Sequence, residues 1–310
     1  MRTELPVANV PFVTAETFEI KADLFKLEAD PHGSGSLFCV DAEYPKFVLA
    51  KLEQLNKHPQ HCRLYLQDHP EALTTCLRRT AQLIADDQPE HFDFRGTFKN
   101  RLLGLSIDGD GELEPLPESA FPELRKGVLE HLLALPPLDR LCDFLALSLQ
   151  EDLIVTHKPD SSLKSDRAEM LLACLPSRWD PAEKLGQDFG SIHAPVADNA
   201  ALLKAQPQLI KAMTFKGPFV RYNWSLSSSA LAQNPVLVPE TELPEQPYYR
   251  VERQTFFPFP DLNRSLFAIR ILQVPLEEML ELPGHADTFR KAIQSMSPAL
   301  KRYKRIRLLK

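Results

Sequence analysis

His193 is the residue in this sequence best suited to hold a transition metal. It sits in Ser191-Ile-His-Ala-Pro-Val196, shortly after Leu175-Pro-Ser-Arg-Trp-Asp-Pro-Ala-Glu-Lys-Leu-Gly186. Neutral imidazole is the commonest protein ligand for iron and related ions. A lone histidine between apolar neighbours is more often a packed core residue, and both readings stay open. A second set of polar groups follows. In Phe219–Leu226, alternation puts Arg221 and Asn223 on one side and Val220, Tyr222, Trp224 and Leu226 on the other. In Tyr249–Phe256, Arg250, Glu252 and Gln254 share a side while Arg253 points the opposite way. Guanidinium forks on a sheet suit carboxylates. The plainer reading is a solvated sheet face. Both tryptophans, Trp179 and Trp224, fall within these segments, where core packing explains them equally well. A functional site is therefore expected between Pro176 and Thr255.

These residues need a scaffold, and the apolar periodicity supplies one. Val48, Leu52 and Leu55 recur at helical spacing. After Asp68, a candidate cap, Leu73, Cys76, Leu77, Thr80 and Ile84 form a second helical stripe. Leu138, Leu141, Cys142, Leu145 and Leu149 mark a third over about Pro137–Gln150. Gly104–Pro117, rich in Gly, Pro and acids, reads as a loop, with a turn at Asp108–Glu112. After residue 150 the period falls to two. Leu153–His157 and Met170–Cys174 suggest a hairpin, Ser265–Gln273 another strand, and Pro275–Glu281 the start of a closing helical region. Five neighbouring strands with helices to one side predict an α+β fold on an antiparallel sheet. Residues 1–150 would form a mainly helical region packed on residues 151–310, as one integrated domain.

Composition excludes several function classes. The 310 residues carry 44% hydrophobic and 25% charged side chains, ordinary globular values, and a formal net charge of −6, which argues against a nucleic-acid binder. Cys39, Cys62, Cys76, Cys142 and Cys174 are scattered without a C-x-x-C pair, as expected for reduced thiols in the cytoplasm. The richest apolar stretch, Val128–Leu149, is broken by Pro136-Pro137 and by charges, so no membrane span is expected. No Gly-rich nucleotide loop, G-x-S-x-G or H-E-x-x-H occurs. Basic residues crowd Lys301–Lys310, a solvated helix end or a landing patch for an acidic partner.

Taken together, the motifs carry a likeness. Leu175–Gly186 with Ile192-His-Ala-Pro-Val196, Gln150-Glu-Asp-Leu153, Arg221-Tyr-Asn-Trp-Ser225, Arg250-Val-Glu-Arg-Gln-Thr255, Phe267-Ala-Ile-Arg270 before Pro275-Leu-Glu-Glu278, and Asp41 with Tyr44 resemble the haem-dependent oxidative N-demethylase alpha-subunit family over nearly the whole chain. The resemblance implies a PAS-like fold binding haem b, iron-dependent oxygen activation, and oxidative demethylation of a small amine. It also implies electrons from NAD(P)H through a separate flavin and iron–sulfur reductase or a ferredoxin-like partner. The absence of a nucleotide loop and of a cysteine cluster agrees with that external supply. His193 would ligate iron. Arg221, Arg250, Arg253, Trp224 and Lys184 would bind the cofactor, while Glu252 and Asn223 would serve the substrate. A non-catalytic haem- or ligand-binding PAS-like sensor or carrier is the alternative. Two departures bear on the substrate, which need not be dimethylamine: Ala197 replaces a usual proline, and Phe257–Arg264 differs from the family's arginine- and glycine-containing turn.

Overall fold

The computed structural model describes residues 4–21, 23–33, 35–158, 166–176, 179–228, 231, 246–304 and 306. Ser177 and Arg178 of the first motif, and Arg305, Arg307 and Lys310 of the basic end, lie outside the described residues. Among those described, ten α-helices accompany eleven strands in two antiparallel sheets.

Prolines punctuate the first half. After the short strand β1 (Phe25–Lys26), helices α1 (Tyr44–Lys57) and α2 (Pro59–Cys62) each carry proline in their first two positions. There its missing N–H costs nothing, because first-turn donors have no helical partner anyway. Strand β2 (Arg63–Tyr65) leads to α3 (Pro70–Asp87), which starts the same way. The expectation that Asp68 caps this helix is corrected. His69 is the N-cap, no side chain caps it, and Asp68 lies one residue too early; its carboxylate instead meets Arg167 at 2.8 Å.

The first half is also less helical than its periodicity implied. Strands β3 (Phe92–Phe94), β4 (Phe98–Asn100), β5 (Leu105–Ile107) and β6 (Leu113–Pro115) form a four-stranded meander, so Gly104–Pro117 is not a plain loop. Three-residue strands are too short to display alternation. The turn expected at Asp108–Glu112 is present: Asp108 Oδ1 accepts from the N–H groups of Asp110 and Glu112, each at 2.9 Å, and Gly111 adopts φ +84°. Helices α4 (Pro122–Leu133) and α5 (Pro137–Ser148) follow, separated at the Pro136-Pro137 break.

The large sheet is built from β7 (Asp152–His157), β8 (Arg167–Leu172), β9 (Phe219–Ser227), β10 (Tyr248–Phe259) and β11 (Arg264–Pro275), with α6 (Phe189–His193) and α7 (Ala200–Phe215) inserted between β8 and β9. Its order is β1-β9-β10-β11-β7-β8-β2. One face carries Val220, Leu266 and Ala268 into a core shared with Tyr44, Phe47 and Leu55 of the first half. Further along that face, Trp224, Leu226, Tyr249 and Val251 meet α8 (Leu276–Glu281), α9 (His285–Ser295) and α10 (Pro298–Tyr303). The opposite face is not bare. Phe256 and Phe267 pack under Leu202, Leu209, Ile210 and Met213 of α7, and Ile154, Leu171 and Ile269 under Trp179, Leu185 and Ile192. Helices on both faces therefore replace the expected one-sided arrangement.

Candidate functional site

The segment that bears His193 is laid on the second sheet face by its own turn chemistry. Asp180 caps the turn Pro181–Glu183 by accepting from the Ala182 N–H, and also contacts His61 Nδ1 at 2.9 Å. Gly186, at φ +75°, donates its N–H to the Ala168 carbonyl, which pins the end of the motif to β8. Trp179 and Leu185 then pack against the sheet. Asp188 caps α6 through the Ser191 N–H, and α6 ends at His193.

The histidine is held in one tautomer. Its Nδ1–H donates to the Phe189 carbonyl at 2.8 Å, and its ring stacks on Phe189 at 4.1 Å between centroids. The Nε2 lone pair is thereby left for another partner, the arrangement usual in metal-ligating histidines. Burial holds the imidazole below its ordinary pKa, opposed by the Phe189 bond and reinforced by Arg221 and Lys184. The ring is therefore neutral near pH 7, and Arg221 and Lys184 are its cationic neighbours.

Strands β9 and β10 bring the other polar residues to the same face. Their register pairs Arg250 with Ser225, Glu252 with Asn223 and Gln254 with Arg221. Glu252 accepts from Arg250 Nη2 at 3.3 Å through one oxygen and from Gln254 Nε2 at 3.0 Å through the other. Arg250 is 1% exposed, yet its Nε and Nη1 have no hydrogen-bond partner among the described residues. Arg221 Nη2 donates to the Lys21 carbonyl at 3.3 Å, its buried Nε has no partner, and burial lowers its pKa. Buried guanidinium donors left unmet are costly, so such groups suit an anion supplied from elsewhere. A neutral imidazole with Arg221 and Lys184 near it, and a second forked cation, Arg250, further along the same face, fit a carboxylate-bearing iron cofactor in donor type and charge.

Arg253 and Trp224 stand on the opposite face. Arg253 gives Nε and Nη2 to Asp30 at 3.1 and 2.9 Å, with further bonds to the Ser36 and Leu37 carbonyls. Trp224 lies in the C-terminal core against Phe18, Tyr249 and Phe289, and its carbonyl accepts from Lys304 at 2.6 Å. The structure thus places Lys184 and Arg221 near His193, sets Asn223, Arg250 and Glu252 on the same sheet face as Arg221, and puts Arg253 and Trp224 on the other face. Sequence reasoning missed the N-terminal contributions: the Lys21 carbonyl under Arg221 and Asp30 under Arg253 come from 200 and 223 residues away. No local pattern signals contacts of that range.

No curated protein matches the chain. A family model does, over residues 32–310, and its description is haem-dependent oxidative N-demethylase, alpha subunit-like. With nearly the whole length matched, the chain belongs to that family.

Proposed function

We propose that this protein is the haem-bearing component of a monooxygenase that oxidatively demethylates a small amine. The observation that supports it most is the pair of buried arginines, Arg221 and Arg250, with unmet N–H donors on the sheet face that also faces His193. Haem b, when bound, supplies iron-dependent activation of dioxygen. The chain's own residues do the rest. His193 offers a neutral Nε2, fixed in tautomer by the Phe189 carbonyl. Arg221 and Arg250 meet the propionates, and Lys184 adds positive charge beside them. Glu252 is an anionic group on that face and orients the amine, with Asn223 directly across the register. Electrons arrive from NAD(P)H through a separate flavin and iron–sulfur or ferredoxin-like protein. The sequence has neither a Gly-rich nucleotide loop nor a cysteine cluster for collecting them. The fold is read as PAS-like and the setting as cytoplasmic; no helix among the described residues is long and apolar enough to cross a membrane.

The test is optical. Protein expressed with adequate haem should show a strong Soret band, and His193→Ala should shift it while circular dichroism stays unchanged. A colourless preparation that also refuses added haemin defeats the proposal. An unchanged band in the variant removes His193 from the iron.

A further inference from the structure

We propose a second metal site, independent of the haem reading, at His69, His157 and Glu169, for a divalent transition ion of the zinc type. One ligand atom from each residue lies within 4.8 Å of the other two. Three separate elements deliver them: the N-cap of α3, the end of β7, and β8.

Glu169 is placed by an irregularity. Val155 pairs with Met170 and Thr156 with Ala168, so Glu169 is the extra residue of a β-bulge, with no strand partner of its own. Bulges re-aim side chains and recur beside functional sites. Here the bulge carries the carboxylate to His157.

The second observation is an orphan. His157 is 7% exposed, and its buried Nδ1 has no hydrogen bond among the described residues, although Glu169 Oε1 lies 3.4 Å away. The His69 ring stands edge-on to it, 5.5 Å between centroids, and is exposed.

Ion pairing alone does not account for this group. Arg264 holds Glu169 in a fork, Nε to Oε2 at 2.5 Å and Nη2 to Oε1 at 2.8 Å. That pair needs neither imidazole and leaves Nδ1 unmet. It does fix the carboxylate, as an outer-shell partner does for a metal ligand, and each carboxylate oxygen keeps a further lone pair. Arg167 lies 3.8 Å from Glu169 Oε1 but is engaged by Asp68 at 2.8 Å. Arg264 and Arg167 against Glu169 and Asp68 sum to zero formal charge, so a dication meets no net repulsion from these four. Two imidazoles and one shared carboxylate suit zinc, copper or nickel, and are too poor in oxygen for calcium or magnesium. Bonds of ~2.0–2.1 Å bring the ligand atoms closer together than they now stand. His69, on the surface, supplies that movement and the entry path.

The experiment uses full-length, chelator-stripped protein, as purified and after addition of haemin, with zinc in equilibrium dialysis. Wild type should bind one equivalent that His69→Ala binds at least tenfold more weakly, with the Soret band unchanged in both. With copper as a spectroscopic probe, electron paramagnetic resonance should count two imidazole nitrogens in wild type and one in His69→Ala. Equal zinc binding by both proteins, or no stoichiometric binding by wild type, overturns the site. The haem spectrum reads the other proposal separately.

Discussion

Arg253 and Arg250 are three residues apart on one strand, are almost equally buried, and face opposite ways. Arg253, at 3% exposure, finds its counter-charge within the chain: Asp30 takes two of its nitrogens, and backbone carbonyls take more. Arg250, at 1%, has one 3.3 Å contact to Glu252 and two buried nitrogens without hydrogen-bond partners among the described residues. Burial of a guanidinium therefore says little by itself. What separates a structural arginine from a binding one is whether the fold completes its hydrogen bonds.

The largest expected effect comes from undoing the completed side. Asp30 also accepts from the Tyr222 hydroxyl at 2.7 Å and the His32 N–H at 3.1 Å. Burial alone would raise its carboxyl; those bonds and Arg253 bring it below its ordinary value. Asp30→Ala strands Arg253 as a buried charge and should cost about 3–5 kcal/mol in urea unfolding. A cost below about 1 kcal/mol would show that water replaces the carboxylate, and the contrast would weaken.

The opposite substitution sharpens it. Arg250→Met removes a cation that the fold leaves incomplete, so stability should hold or rise. Haem affinity should drop about ten- to a hundredfold, the equivalent of roughly 1.5–3 kcal/mol for charge-assisted bonds. Titration of apoprotein with haemin reads one and urea unfolding the other. Lost stability with intact haem binding would make Arg250 structural, like Arg253.

The smallest effect concerns acid. His193 has a folded pKa below its ordinary value, so at low pH the unfolded chain binds the proton first. Native stability then falls as pH drops below about 6.5, by at most about 1.4 kcal/mol per pH unit from this group. Comparing wild type with His193→Gln at matched haem content isolates it from other histidines. Parallel profiles from pH 7.5 to 5 would mean that the ring takes up its proton equally in the folded and unfolded chains, and that burial does not perturb it.

Much of this comparison was legible beforehand, because alternation along β9 and β10 is a local property. Alternation puts Arg221 with Asn223 on one side of β9, and Arg250 with Glu252 on one side of β10 opposite Arg253; that the two sides form one face comes only from the register. The strands in residues 153–273 were visible for the same reason. The meander of β3 to β6 was not, since three-residue strands show no period. Helix α7 was also missed: Pro207 stands inside it, and its apolar stripe is weak. Contacts set by tertiary closure, such as Asp30 on Arg253, leave no trace in sequence spacing. The PAS-like topology and the haem itself rested on likeness rather than on any residue's chemistry.

The position of β10 in the sheet has a consequence for how this protein opens. It is hydrogen-bonded along its length, with β9 on one side and β11 on the other, so its amides report only the largest unfolding events. Glu252 and Arg250 ride on that strand. His193 ends a five-residue helix in which no residue is fully buried, so less packing holds its backbone than holds β10. The two parts of the proposed site should therefore differ in opening, with the amides of residues 186–199 exchanging faster than those of β10.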